Sequence, residues 1–338
     1  MRFGMDRDQH LHAGGTATVL FFEIKLLVAL ASVEGIMVLM LKMKLVECPC
    51  HRITAGLLTA VFCLIGVSPA FSQSLTSDIE YARAGEHVLK LDLHLPKEKN
   101  PPLIVYIHGG AWRAGSKKDL PIAKLLDHGF AIASVDYRLS TQAQFPAQVH
   151  DIKAAIRFLR AKSESLHINT KRIAIVGSSA GGHLAALVGV TNGHKELEGN
   201  LGDSLNQSSD VQCIISLFGA SNLQSILSQS TEFGLKMRVP ALQLLLGGTP
   251  DEKPELAKLA SPVAHLDKAD PPLLLIHGEA DPQMPPQQSQ EFAKAYEAMK
   301  LPVQFITIPG AKHGGTSFYD EERVGTMVKF LQSHLRQQ

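Results

Sequence analysis

Ile173-Ala174-Ile175-Val176-Gly177-Ser178-Ser179-Ala180-Gly181-Gly182-His183-Leu184-Ala185 joins an unbroken apolar run, a Gly/Ser turn and the start of a helical pattern. An apolar run without alternation reads as a strand covered on both faces. The turn fits G-x-S-x-G with Ser179 at its centre. Composition alone would produce that pattern in roughly one chain of this length in ten, so its placement carries the weight. A strand directly before and a helix directly after is the setting a nucleophile elbow needs. The glycines leave room for a tight backbone turn, and the helix N-terminus favours negative charge beside the serine.

The same rhythm extends in both directions. Residues 103–107, 131–135, 211–218, 273–276 and 303–308 are further apolar runs, and 88–95 alternates like a half-exposed strand near a sheet edge. Residues 149–159, 182–190, 289–299 and 322–335 carry helical spacing between them. Strands alternating with helices predict an α/β class, with a mostly parallel sheet and helices on both faces. The stretch 223–246 is the least regular and reads as a small insertion shaping the mouth of the site. Cys213 falls within a strand run and reads as a small core residue.

Upstream, His108-Gly109-Gly110-Ala111-Trp112 follows the run 103–107. Adjacent glycines at a strand end let backbone N–H groups approach a reacting carbonyl, so Gly109, Gly110 and Ala111, joined by Ala180, are the expected oxyanion donors. His108 reads as a residue shaping the loop. Trp112 is either a substrate platform or packing; the sequence leaves both open.

In folds that carry such an elbow, an acid and then a base follow the serine along the chain. The run 273–276 leads into His277-Gly278-Glu279-Ala280-Asp281-Pro282. Asp281 is the expected acid and Glu279 its rival. Beyond it only His313 and His334 remain. His334 lies in the terminal helical pattern, whereas His313 sits in a loop after a strand. Ser179, His313 and Asp281 then form the expected triad: His313 takes the serine proton and Asp281 fixes the imidazole.

The chain of 338 residues has formal net charge +1 and no basic cluster, so nucleic acid is not an expected partner. No Cys-based zinc spacing is seen, and neither a metal nor a cofactor is expected. Cys48, Cys50 and Cys63 fall in a region that reads as targeting sequence. Residues 43–72 have a basic flank, a short apolar stretch and the small residues Ala70-Phe71-Ser72, the layout of a secretory signal. Its apolar part, about 14 residues, is short of the roughly 20 that a span needs. Residues 17–41 are apolar but carry Glu23, Lys25 and Glu34. Each such charge costs roughly 2.5–3.5 kcal/mol at a membrane-helix centre. The expected organisation is an N-terminal extension over 1–42 from an over-extended reading frame starting ahead of Met43, with a two-part leader or membrane anchor as the alternative, a signal over 43–72 and one catalytic domain over 73–338. The mature protein is expected to be secreted or periplasmic, with no stable membrane span.

The chain from about Ile79 onward resembles the bifunctional feruloyl and acetylxylan esterase branch of the α/β-hydrolases, near the hormone-sensitive lipase-like esterases. The residues carrying the resemblance are His108 to Trp112, Asp136-Tyr137-Arg138, Phe145-Pro146-Ala147 with Asp151, and Gly177 to Ala185. Leu246-Gly247-Gly248-Thr249, Ser261-Pro262, Asp270-Pro271-Pro272 and His277 to Pro285 complete them. The resemblance implies the α/β-hydrolase fold, the same triad, a structural His183, and small or polysaccharide-linked esters as substrates, acetyl or feruloyl groups among them. Little chain separates the expected signal from the first core strands, so a large N-terminal cap is not expected and the cleft should be open. An arylformamidase or small peptidase on the same triad, and a non-catalytic binding protein on this scaffold, are the alternatives.

Overall fold

The structure is a computed structural model that describes residues 72–335, together with two antiparallel dipeptide strands, Ser32–Val33 and Ile36–Met37. By its contacts the chain divides into two units, Met1–Ile65 and Gly66–Gln338. The expected signal, the reading-frame extension, Cys48, Cys50 and Cys63 lie outside the described residues, apart from that strand pair.

In the second unit eight strands form one sheet. They are β1 (Ser74–Ala84), β2 (His87–Leu95), β3 (Pro102–Ile107), β4 (Ala131–Val135), β5 (Asn169–Ser178), β6 (Cys213–Leu217), β7 (Leu273–Gly278) and β8 (Val303–Ile308). Their spatial order is β8-β7-β6-β5-β3-β4-β2-β1. From β4 to β8 every pairing is parallel; β2 joins β4, and β1 joins β2, antiparallel. The longer helices are α1 (Ala147–Ala161), α2 (Ala180–Gly189), α3 (Glu232–Leu246), α4 (Pro286–Ala298) and α5 (Glu321–Leu335).

Alternate residues of the central strands feed two cores, as the pleat requires. Leu103, Val105 and Ile107 pack on one face with Ile152, Ile156, Leu184 and Phe292 of α1, α2 and α4. Ile104 and Tyr106 pack on the other with Met327 and Leu331 of α5. Each fully buried large apolar side chain of this kind stabilises the fold by roughly 1.5–3 kcal/mol. Cys213 is buried in β6, and burial pushes its thiol up to about 12. It is a core residue. Among the described residues no helix is long and apolar enough to cross a membrane.

Two elements differ from the sequence reading. The edge strand β1 was not anticipated: register shifts at Thr76/Ile79 and Glu80/Ala82 interrupt its side-chain alternation. The irregular stretch 223–246 contains α3, which runs through Pro240 and leaves Phe233, Met237 and Leu244 exposed. Thr231 caps it, its hydroxyl oxygen accepting from Gly234 N–H, and Gly247 ends it in the left-handed region.

Candidate active site

Ser179 stands between β5 and α2 at φ 55° and ψ −119°. A non-glycine residue held there is strained by about 1–3 kcal/mol and needs surroundings that enforce it. Its N–H donates to Leu217 O at 2.8 Å and its carbonyl accepts from His183 N–H at 3.0 Å. The glycines of the motif have steric causes. A Cβ on Gly177 would stand 2.1 Å from Gly181 O, and one on Gly181 would stand 2.1 Å from Ile107 O. Neighbouring Ser178 is buried and hydrogen-bonds the Tyr106 hydroxyl at 2.9 Å, so it serves the core.

The three expected triad side chains converge. Ser179 Oγ lies 2.8 Å from His313 Nε2, and His313 Nδ1 lies 2.7 Å from Asp281 Oδ2. An ionised carboxylate only accepts, so Nδ1 carries the imidazole proton and Nε2 faces the serine hydroxyl as acceptor. The other carboxylate oxygen, Oδ1, accepts from the N–H groups of Gln283 at 2.8 Å and Met284 at 2.9 Å. Burial alone would raise this carboxyl; hydrogen bonds from His277 and His313 outweigh it and hold Asp281 well below the usual carboxylate range. Phe218 packs edge-on against the His313 ring, with centroids 4.9 Å apart. The rival acid, Glu279, is turned away and accepts from Gly310 N–H at 3.2 Å.

The loop after β3 reaches the same place. Ile107 pairs with Gly177 in the parallel register of β3 and β5, so the two turns leave the sheet side by side. A Cβ on Gly109 would stand 2.9 Å from Ser178 O and 3.4 Å from Ser179 Cβ. Gly110, Ala111 and Trp112 all have positive φ, which curls the loop until Gly110 O accepts from Arg113 and Ala114 N–H. Among the described residues the N–H groups of Gly109, Gly110 and Ala111 meet no backbone acceptor. Ala180 opens α2, where no intrahelical acceptor exists for its N–H. His108 is buried, stacks on Tyr137 at 4.4 Å, and donates from Nδ1 to Gly109 O at 2.8 Å. It shapes the loop, as expected, and burial pulls its pKa down.

Trp112 is a correction to one of the two open readings: it is fully buried and offers a substrate no surface. Its Nε1–H donates to His183 Nδ1 at 3.1 Å, and His183 Nε2–H donates to Ala260 O at 2.7 Å. Burial pushes His183 down to about 4, so this imidazole is neutral and structural. The Arg238 guanidinium covers the indole at 6.0 Å and donates to Gln283 O, linking α3 to the acid loop.

The sequence also left two pairings unread. Arg138 and Asp151 form a paired salt bridge, Nη2 to Oδ1 at 2.6 Å and Nε to Oδ2 at 2.9 Å, beneath the loop that follows β4. His277, fully buried on β7, lies 3.3 Å from Asp281 Oδ2. No pattern in the chain marks either partnership. Among the described residues no cluster of three His, Cys, Asp or Glu side chains is arranged to hold a metal ion.

A hydroxyl, an imidazole and a carboxylate linked in series beside a loop of free amides can supply what acyl transfer requires. Known proteins resemble this chain over much of its length. The sequence model of the BD-FAE family matches residues 91–296. Esterase LipC of Mycobacterium tuberculosis is 28% identical over 243 residues, 71% of this chain and 59% of that protein. The chain spans less than two thirds of that relative and of the next curated one, at 59% and 56%. A truncated carbohydrate esterase from gut microbiota is 32% identical, with a TM-score of 0.71 over 79% of this chain and 98% of that one. An acetyl ester-xyloside bifunctional hydrolase from Caldicellulosiruptor lactoaceticus is 26% identical, with a TM-score of 0.63 over 79% and 98%.

Proposed function

This chain belongs to the BD-FAE family and has the α/β-hydrolase fold, and from that premise we propose that it is a serine carboxylesterase working through Ser179, His313 and Asp281. The observation that carries the reading is the unbroken pair of hydrogen bonds, 2.8 Å and 2.7 Å, from Ser179 through His313 to Asp281.

In the proposed reaction Ser179 Oγ attacks the ester carbonyl as His313 Nε2 takes its proton. The carbonyl oxygen gains negative charge, and the N–H groups of Gly109, Gly110, Ala111 and Ala180 stabilise it. Losing one donor of this kind costs about 2.7–4 kcal/mol where it has been measured. Asp281 stays ionised and stabilises the imidazolium. His313 passes the proton to the leaving alcohol, which departs and leaves an acyl-serine. Water then repeats the sequence, His313 acting as base, and releases the acid.

The proposed substrates are small or polysaccharide-linked esters, acetyl and feruloyl groups among them, reached through an open cleft. Support comes from the likeness to a carbohydrate esterase and to an acetyl ester-xyloside hydrolase. Export is proposed from the signal-like layout of residues 43–72. Fluorophosphonate labelling of the wild type and of Ser179→Ala, with turnover of p-nitrophenyl acetate, acetylated xylan, methyl ferulate and N-formylkynurenine, tests the reading. Labelling at Ser179 and ester turnover, both lost in the variant, are expected. A preference for N-formylkynurenine would favour an arylformamidase, and full turnover by Ser179→Ala would overturn the assignment.

A further inference from the structure

Two imidazoles face Asp281, and only His313 has a part in the proton transfers described above. We infer that the second, His277, is a positioning residue: a ring that holds the acid loop and sets the orientation and charge of the carboxylate His313 meets. This inference rests on the esterase reading of the site.

His277 Nε2 lies 3.0 Å from Met284 O and 3.3 Å from Asp281 Oδ2. A carbonyl and a carboxylate can only accept, so Nε2 carries a proton, directed chiefly at Met284 O and shared with Asp281. His277 Nδ1 lies within hydrogen-bonding distance, 2.7 Å, of Ser289 Oγ on α4. The two acceptors at Nε2 fix the proton there, and the Ser289 hydroxyl completes the ring's hydrogen bonding at Nδ1. Met284 is gripped twice, donating its N–H to Asp281 Oδ1 and accepting from His277 at its carbonyl. The turn carrying Asp281 is therefore closed on both sides.

Asp281 has two amide donors on Oδ1 and two imidazoles beside Oδ2. The titratable or charged groups around it are His313, His277 and, from α3, Arg238. A carboxylate with several donors spreads its charge, and each donor lost concentrates that charge on those remaining. Without His277, Asp281 would hold the His313 proton more tightly and in a less defined direction. The ring is fully buried, so substrate binding should not register its loss.

The test compares wild type, His277→Leu, His277→Gln and Ser289→Ala in kcat, KM and the pH profile of kcat/KM for p-nitrophenyl acetate. The downfield proton resonance of His313 Nδ1 is recorded alongside. His277→Leu should lower kcat about ten- to a hundredfold, as expected when a hydrogen bond to a charged group is lost. KM should hold, and the acid limb should move up by roughly 0.5–1 pH unit. His277→Gln, which restores a donor, should recover most of both, and Ser289→Ala should fall between. A folded His277→Leu with wild-type kcat and acid limb overturns the inference, as does a Gln variant no better than Leu. If His277→Leu does not fold, Ser289→Ala decides, and an unmoved acid limb there overturns it. A wild type that hydrolyses no ester refutes the esterase reading alone. The His313 resonance then still judges the positioning role: shifted in the variants it supports that role, unshifted it overturns it.

Discussion

Gly181→Ala should damage the chemistry far more than one methyl group suggests. The added Cβ would stand 2.1 Å from Ile107 O and 2.5 Å from His108 O. Carbon and oxygen not bonded to each other need at least about 3.0 Å, so α2 and the end of β3 must part by about 0.9 Å. Both obstacles are backbone atoms, so no side chain can swing aside. The separation falls between Ser179 with Ala180 on one side and Gly109 to Ala111 on the other. A misplacement of about 1 Å can cost about a hundredfold in rate. Overpacking of this kind also costs about 1–3 kcal/mol of stability. Gly325→Ala is the control: its Cβ would meet nothing within 4 Å, and in the interior of α5 it should stabilise by about 0.5–1 kcal/mol. Steady-state kinetics on p-nitrophenyl acetate and thermal melts of both variants make the comparison. A Gly181→Ala protein with wild-type kcat and Tm would refute the steric account of the elbow.

Trp112→Phe removes the donor to His183 Nδ1 and leaves a buried acceptor unpaired, which should cost about 1–3 kcal/mol in a denaturant titration while KM holds. A raised KM with unchanged stability would return the substrate-platform reading. Burial pushes the Asp270 carboxyl up to about 7, while its oxygen accepts from Asp267 N–H at 2.8 Å. An acid raised on folding makes the wild type lose stability as pH climbs from about 4 through about 7. Asp270→Asn keeps an acceptor but cannot ionise. Its Tm should match the wild type near pH 4 and exceed it at pH 8, and a Tm difference independent of pH would refute the assignment.

Where both faces of a strand are covered, the sequence declares it. Residues 103–107, 131–135 and 173–176 are uninterrupted apolar runs, and each lies in a parallel strand. The edge strand β1 is bulged and largely exposed, so neither continuity nor alternation marks it. In α3 exposed Phe233 and Met237 alternate with buried Gly234 and Arg238, inverting the usual sign of amphipathicity. The convergence of Ser179, His313 and Asp281 could be read because each follows a strand and has few competitors. Trp112 could not be resolved, because its role depends on His183, which the elbow helix carries to it. The role of His277 is silent in the sequence for the same reason: Ser289 and Met284 give it meaning only after folding.

The parallel register that sets Ile107 beside Gly177 has an evolutionary corollary. In the proposed mechanism, spacing between the attacking oxygen and the amides that receive the developing charge is inherited from the sheet's own lattice, about 4.8 Å from strand to strand. Peripheral segments can therefore be lengthened, shortened or replaced, and new alcohol or acyl groups recruited, without retuning the reaction centre.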